Sequence, residues 1–102
     1  MRFSKCLWIS EKFENHLEIL KNIQQGSLPE NSFVLCINNA SKNLMDIYSS
    51  AELKKPYVNI ENLLIIAICK GKNDAKDKCA EILRDFVVDN GNLDGFKDKF
   101  TG

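Results

Sequence analysis

The run Leu63-Leu64-Ile65-Ile66-Ala67-Ile68-Cys69 constrains this chain more than any other stretch, because it offers no polar face to water. A segment of that kind must be covered on both sides, and it is far short of the roughly 20 apolar residues that span a bilayer. Periodicity alone does not separate a buried strand from a buried helix here, and Asn59 stands where it can cap a helix. The shortness of the run, its three isoleucines and the break at Lys70-Gly71-Lys72-Asn73 favour the strand.

A different pattern begins at once. Ala75, Cys79, Ile82, Leu83 and Phe86 recur at helical spacing, while Lys76, Asp77, Lys78, Glu81 and Asp85 fall elsewhere around the axis. Asn73 suits the N-cap, Asp74 complements the positive helix end, and Gly91 supplies a stop, which predicts an amphipathic helix over about 74–90. Residues 63 to 90 therefore read as one buried strand followed directly by one helix. Downstream, Leu93, Phe96 and Phe100 can fold a short turn of helix back onto the body.

Upstream, Phe13, Leu17, Leu20 and Ile23 keep helical spacing, with Ser10 at the cap and Gly26 at the stop, predicting a helix from about 11 to 25. Gly26 to Asn31 reads as a loop. Phe33-Val34-Leu35-Cys36-Ile37 reads as a short strand ended by Asn38-Asn39, and Leu44 to Tyr48 as a second short strand. Ser49-Ser50-Ala51-Glu52 carries the capping-box pattern for a brief helix that Pro56 must terminate. Residues 2–9 fit either a strand or a helical extension, and the strand is preferred. The resulting order, β-α-β-(β-α)-β-α, predicts a small α/β fold with a mainly parallel sheet of three to four strands, flanking helices and right-handed crossovers. With 102 residues and no linker-like or repetitive tract, residues 1–102 read as a single domain.

Charge and cysteine content narrow the function classes. Fourteen Lys+Arg balance fourteen Asp+Glu, so no net field draws the chain to nucleic acid or an anionic membrane, and little repulsion opposes self-association. Cys6, Cys36, Cys69 and Cys79 contain no C-x-x-C pair and share the chain with a single histidine, so no metal or thioredoxin spacing is present and no cofactor is expected. Arg2 and Lys5 precede only a four-residue apolar stretch, Cys6 to Ile9, too short for a signal-peptide core. These features predict a cytoplasmic chain with reduced thiols, in which the sequon Asn39-Ala40-Ser41 has no meaning.

In a parallel sheet, ligands bind beyond the carboxyl ends of the strands. Ser10, Asn38-Asn39-Ala40-Ser41 and Lys70-Gly71-Lys72-Asn73 would gather there. Lys70, Gly71, Lys72 and Asn73, beside Asn38 and Asn39, are the candidate binding residues for a phosphate or carboxylate: a glycine admits the ligand, free amides can donate to it, and two lysines add charge. A solvated turn with an N-cap explains the same residues, and neither nucleotide-loop spacing is present. His16 is the sole histidine and sits beside an apolar stripe, where a boundary histidine is ordinary; no partner marks it as a base. Asp46 and Tyr48 can mark a polar site or the solvent face of an edge strand. Trp8, Phe3 and the tail phenylalanines can form a patch for a partner, which a second copy of the chain would cover.

Over Leu63 to Phe86 and Asp94-Gly95-Phe96-Lys97-Asp98-Lys99-Phe100, the chain resembles small bacterial proteins of families without an assigned function, in which a hydrophobic strand ends in Lys-Gly and an acidic-alanine helix follows. The likeness extends to Glu14-Asn15-His16-Leu17 and Asp46-Ile47-Tyr48. It implies an α/β body and a bacterial cytoplasmic setting, and carries no activity to any residue. Two functions follow as expectations: an interaction or regulatory module without catalytic activity, acting through a protein partner or as a homodimer, or a binder of a small anion at Lys70–Asn73.

Overall fold

The computed structural model describes residues 1–101. The elements are β1 (Arg2–Ile9), α1 (His16–Gln24), β2 (Phe33–Asn38), β3 (Asp46–Ser49), β4 (Leu63–Cys69), α2 (Lys72–Asn90) and α3 (Phe96–Thr101), with 3-10 turns at Glu52–Lys54 and Ile60–Asn62. The four strands form one sheet in the order β1-β4-β2-β3. β4 lies inside it and is buried along its whole length, as a strand with two apolar faces must be.

The sheet is mixed, and the expectation of a mainly parallel one is corrected. Only β1 and β4 run parallel; β2 is antiparallel to both β4 and β3. The cause lies after α1. This helix has nine residues and returns only about 14 Å toward the start of β1, at 1.5 Å per residue. Residues 25–32 then carry the chain forward again, so β2 enters beside the end of β4, with Phe33 opposite Cys69. Alternating strands and helices imply parallel neighbours only when the connection after each helix is short.

Two apolar clusters occupy the two faces of the sheet. Leu35, Ile37, Leu64, Ile66 and Ala67 pack with Ala75, Phe86 and Phe96 beneath α2 and α3. Val34, Cys36, Leu63, Ile65 and Ile68 pack with Ile19 of α1 and Leu53 of the first 3-10 turn. Alternation along β4 slips once. Leu35 pairs with Ala67 and Cys36 with Ile65, so Ile66 has no partner on β2; this bulge puts Ile66 and Ala67 on the same side.

Local signals in the sequence account for the turns. Ser49 and Glu52 close the reciprocal capping box, with Glu52 N–H donating to Ser49 Oγ at 3.1 Å and Ser49 N–H to Glu52 Oε1 at 3.0 Å. Asn59 caps only the turn Ile60–Asn62, after which the chain is extended. Gly26 (φ 80°) ends α1 in a Schellman motif, the amides of Gly26 and Ser27 donating to the carbonyls of Ile23 and Asn22 at 2.9 and 2.8 Å.

Two helix starts differ from expectation. α2 begins at Lys72 with Gly71 as N-cap, ahead of Asn73. α1 begins at His16, five residues later than predicted: Ser10 continues the β1–β4 ladder, its amide donating to Ile68 O at 2.9 Å, and its hydroxyl and carbonyl close only a single turn with the amides of Lys12 and Phe13. The tail does fold back: Phe96 is 1% exposed and meets Phe86 and Phe100 edge to face, with centroids at 5.2 and 5.3 Å.

Candidate functional site

The predicted ligand site does not assemble. Because β1 and β4 are parallel, Ser10 and Lys70–Asn73 do meet beyond their carboxyl ends. Because β2 is reversed, Asn38 pairs with Leu63 at the far end of the sheet. The six residue steps from Leu63 to Cys69 place Asn38 and Asn39 about 20 Å from Lys70.

At the Lys70 end, a shallow depression of about 370 Å³ is lined by Lys12, Lys70, Gly71, Lys72, Asn73 and Asp74. Lys12, Lys70 and Asp74 already serve one another, while the side chains of Lys72 and Asn73 are exposed to solvent. The Asp74 carboxylate accepts from the Lys70 amide at 3.0 Å, and Lys12 Nζ lies 3.8 Å from it. Lys70 Nζ donates to Lys12 O at 3.2 Å. Partial burial pushes the Asp74 carboxyl upward, but hydrogen bonds from the Ser10 hydroxyl and the Lys70 amide, with the charge of Lys12, outweigh it and hold Asp74 below its ordinary value. A carboxylate thus occupies the positive end of α2 where an incoming anion would bind. The acidic residue that complements the positive helix end is thus the one that competes with an anion for it.

His16 has a structural partner. Its Nε2 lies 2.8 Å from the carbonyl oxygen of Ser10, which can only accept, so the proton sits on Nε2. The Ser10 hydroxyl accepts from Lys12 N–H at 3.2 Å and does not face the imidazole. No nucleophile-base pair forms between them. Asn38 and its neighbours serve a clamp: Lys97 Nζ of α3 donates to Asn38 O at 2.9 Å and to Ser41 O at 2.6 Å, while Asn38 Oδ1 accepts the Ala40 amide. Asp46 accepts from Asn43 Nδ2 at 2.9 Å, and Tyr48 packs half-buried on the edge strand.

All four cysteines are unpaired. Burial, with the negative charge of Asp46 near one and Asp74 near the other, pushes the thiols of Cys36 and Cys69 up to about 12. Neither can supply a thiolate near neutral pH. Among the described residues no group of three His, Cys, Asp or Glu side chains could hold a metal ion, and no helix is long and apolar enough to cross a membrane.

Apolar side chains reach solvent at Tyr57, at Val88 and on the outer side of α1. Of the predicted stripe, Phe13 and Ile23 pack half-buried against the core, whereas Leu17 and Leu20 do not. The later start turns Ile19 to the sheet at 6% exposure and leaves Leu17 78% and Leu20 44% exposed. Beside Leu17 runs a depression of about 650 Å³ bounded by Glu14 and Glu18 at one end and Lys21 at the other. Trp8, in contrast, is half-buried, with Lys78 Nζ 4.3 Å above its ring. The apolar spacing was visible in sequence, but which side of α1 met water depended on where the helix began.

No protein-family model matches the chain, no curated protein matches it in sequence, and no solved structure matches its fold.

Proposed function

We propose that this chain is an interaction module without catalytic activity, acting as a homodimer that pairs through the outer face of α1. The observation that carries the reading is the exposure of Leu17 and Leu20, 78% and 44%, one turn apart on a helix whose other apolar side chains are covered. A contiguous apolar patch rimmed by charge is a mark of a docking surface, and Leu17 and Leu20 lie adjacent on one face with charged residues on either side. The rim supports a second copy as the partner. Glu14 and Glu18 stand at the amino end of the patch and Lys21 toward the carboxyl end. An antiparallel pairing about a two-fold axis sets the acidic end of one copy against the basic end of the other. The net charge of zero leaves no global repulsion to overcome.

The cytoplasmic setting belongs to the same proposal, and the unpaired thiols support it. The patch is small, so the expected dissociation constant is on the order of 0.1 mM, in the range of weak, transient contacts. Sedimentation equilibrium up to millimolar protein tests it. Wild type should rise from 11.6 kDa toward twice that mass, and the Leu17→Glu/Leu20→Glu double variant should remain a monomer with unchanged circular dichroism. A wild type that stays monomeric, or a double variant that still dimerises, would refute the proposal.

A further inference from the structure

On the α1 side of the sheet, away from the Leu17 face, the chain holds an open groove of about 630 Å³ between the loop after α1 and the first 3-10 turn. Its floor is apolar: Leu53 is buried, and Met1 and Leu28 pack half-buried against the same cluster. Ile60 closes one side. Volume and lining fall within the range of small-molecule sites, which are mostly apolar with a few polar groups that fix orientation.

Both walls are built before any ligand arrives. One is held by the Schellman bonds at Gly26 and Ser27, and by Ser32, whose hydroxyl donates to Pro29 O at 2.6 Å and whose carbonyl accepts the Ser50 amide at 2.8 Å. The other is held by the Ser49/Glu52 capping box. A preformed site does not spend binding energy on ordering its loops.

The rim supplies the chemistry. Lys54 and Lys55 are exposed at the groove, and the ion pairs among the described residues, Lys12 with Asp74 and Lys78 with Glu81, include neither. Among the lining side chains Glu30 sets one negative charge against the two lysines, and Met1 with its amino group also lines the groove, so the groove is net positive.

We infer that this groove binds an amphipathic organic monoanion, its hydrocarbon chain lying on Leu28 and Leu53 and its carboxylate meeting Lys54 and Lys55. The site is separate from the α1 face, so either proposal can fail without the other.

Decanoate titrated below its micelle concentration into ¹⁵N-labelled protein tests the inference by amide chemical shifts. Saturable shifts should concentrate at Ser27, Leu28, Leu53, Lys54 and Ile60, and the Lys54→Glu/Lys55→Glu variant should bind at least about tenfold more weakly. Both lysines are exposed, so the variant keeps its fold, which its spectrum verifies. Decanol, uncharged and of equal chain length, should bind more weakly than decanoate to wild type. Phosphatidylglycerol vesicles, which present an anionic lipid surface instead of a free anion, should leave the resonances unmoved. Overturning results are decanoate shifts scattered over the surface or confined to Leu17 and Leu20, equal affinity in the double variant, equal affinity for decanol, or capture of the protein by the vesicles.

Discussion

Replacing Phe96 by alanine tests whether α3 is part of the core or an appendage. The ring is 1% exposed and lies edge to face between Phe86 and Phe100. Burying a phenylalanine and filling its cavity is worth about 3–5 kcal/mol by large-to-small substitution. Each aromatic pair adds about 0.5–1.5 kcal/mol beyond buried area, already contained in that figure. A domain of this size has a total stability of roughly 5–15 kcal/mol, so the variant should still fold. With a urea m-value of about 1.5 kcal/mol/M, a loss near 4 kcal/mol lowers the midpoint by about 2–3 M. Leu93→Ala, at a position 38% exposed, is the control and should cost less than about 1 kcal/mol. The assay is urea unfolding followed by circular dichroism and tryptophan emission. A Phe96→Ala midpoint within about 0.5 M of wild type would mean that α3 does not dock, and would remove the lid on this face of the sheet.

Other consequences are equally measurable. Lys97→Met leaves the carbonyls of Asn38 and Ser41 without their ammonium donor and should cost about 1–3 kcal/mol in the same urea assay; Lys97→Arg should retain part of it. Asp74 titrates below its ordinary value when folded, so its contribution is present above the unfolded value near 3.9 and is lost as pH falls through the lower folded value. The stability gap between wild type and Asp74→Asn should therefore be constant from neutral pH to about 5 and narrow progressively as pH falls below about 4; a gap that widens as the solution is acidified would contradict the hydrogen-bond assignment. For the thiols, a disulfide reagent at pH 8 should modify exposed Cys6 rapidly, Cys79 slowly, and Cys36 and Cys69 only on unfolding, as counted by intact mass. Ser49→Ala breaks the capping box and should cost about 1 kcal/mol.

The elements read best from sequence were those whose signals agreed at every level. Leu63–Cys69 is the strand its composition predicted, and Ala75, Cys79, Ile82, Leu83 and Phe86 turn inward on α2 as their spacing required. The Ser49/Glu52 box and the Gly26 and Gly91 stops were legible because turn chemistry is local. What escaped was set by long-range partners. Ser10 caps only one turn at the end of the β1–β4 ladder, and α1, starting at His16, docks through Ile19 and leaves Leu17 and Leu20 outward. The direction of β2 depended on the path of residues 25–32, which no residue pattern encodes. That reversal separated Asn38 and Asn39 from Lys70–Asn73. Lys97, which holds the Asn38–Ser41 turn from far along the chain, carried no motif.

The central claim, that α1 pairs antiparallel with α1 of a second copy, is tested most directly by charge reversal and mixing. Glu14→Lys makes the rim of the patch more basic, and Lys21→Glu makes it wholly acidic, so each variant alone should self-associate more weakly than wild type. Mixed in equal amounts they restore most of the complementary pairs across the two-fold axis, and sedimentation equilibrium should recover a dimer stronger than either variant forms alone, though weaker than wild type because Glu18 then faces the carboxylate introduced by Lys21→Glu at one end. Variants that dimerise alone as well as wild type does, or a mixture that stays monomeric while wild type dimerises, would contradict it.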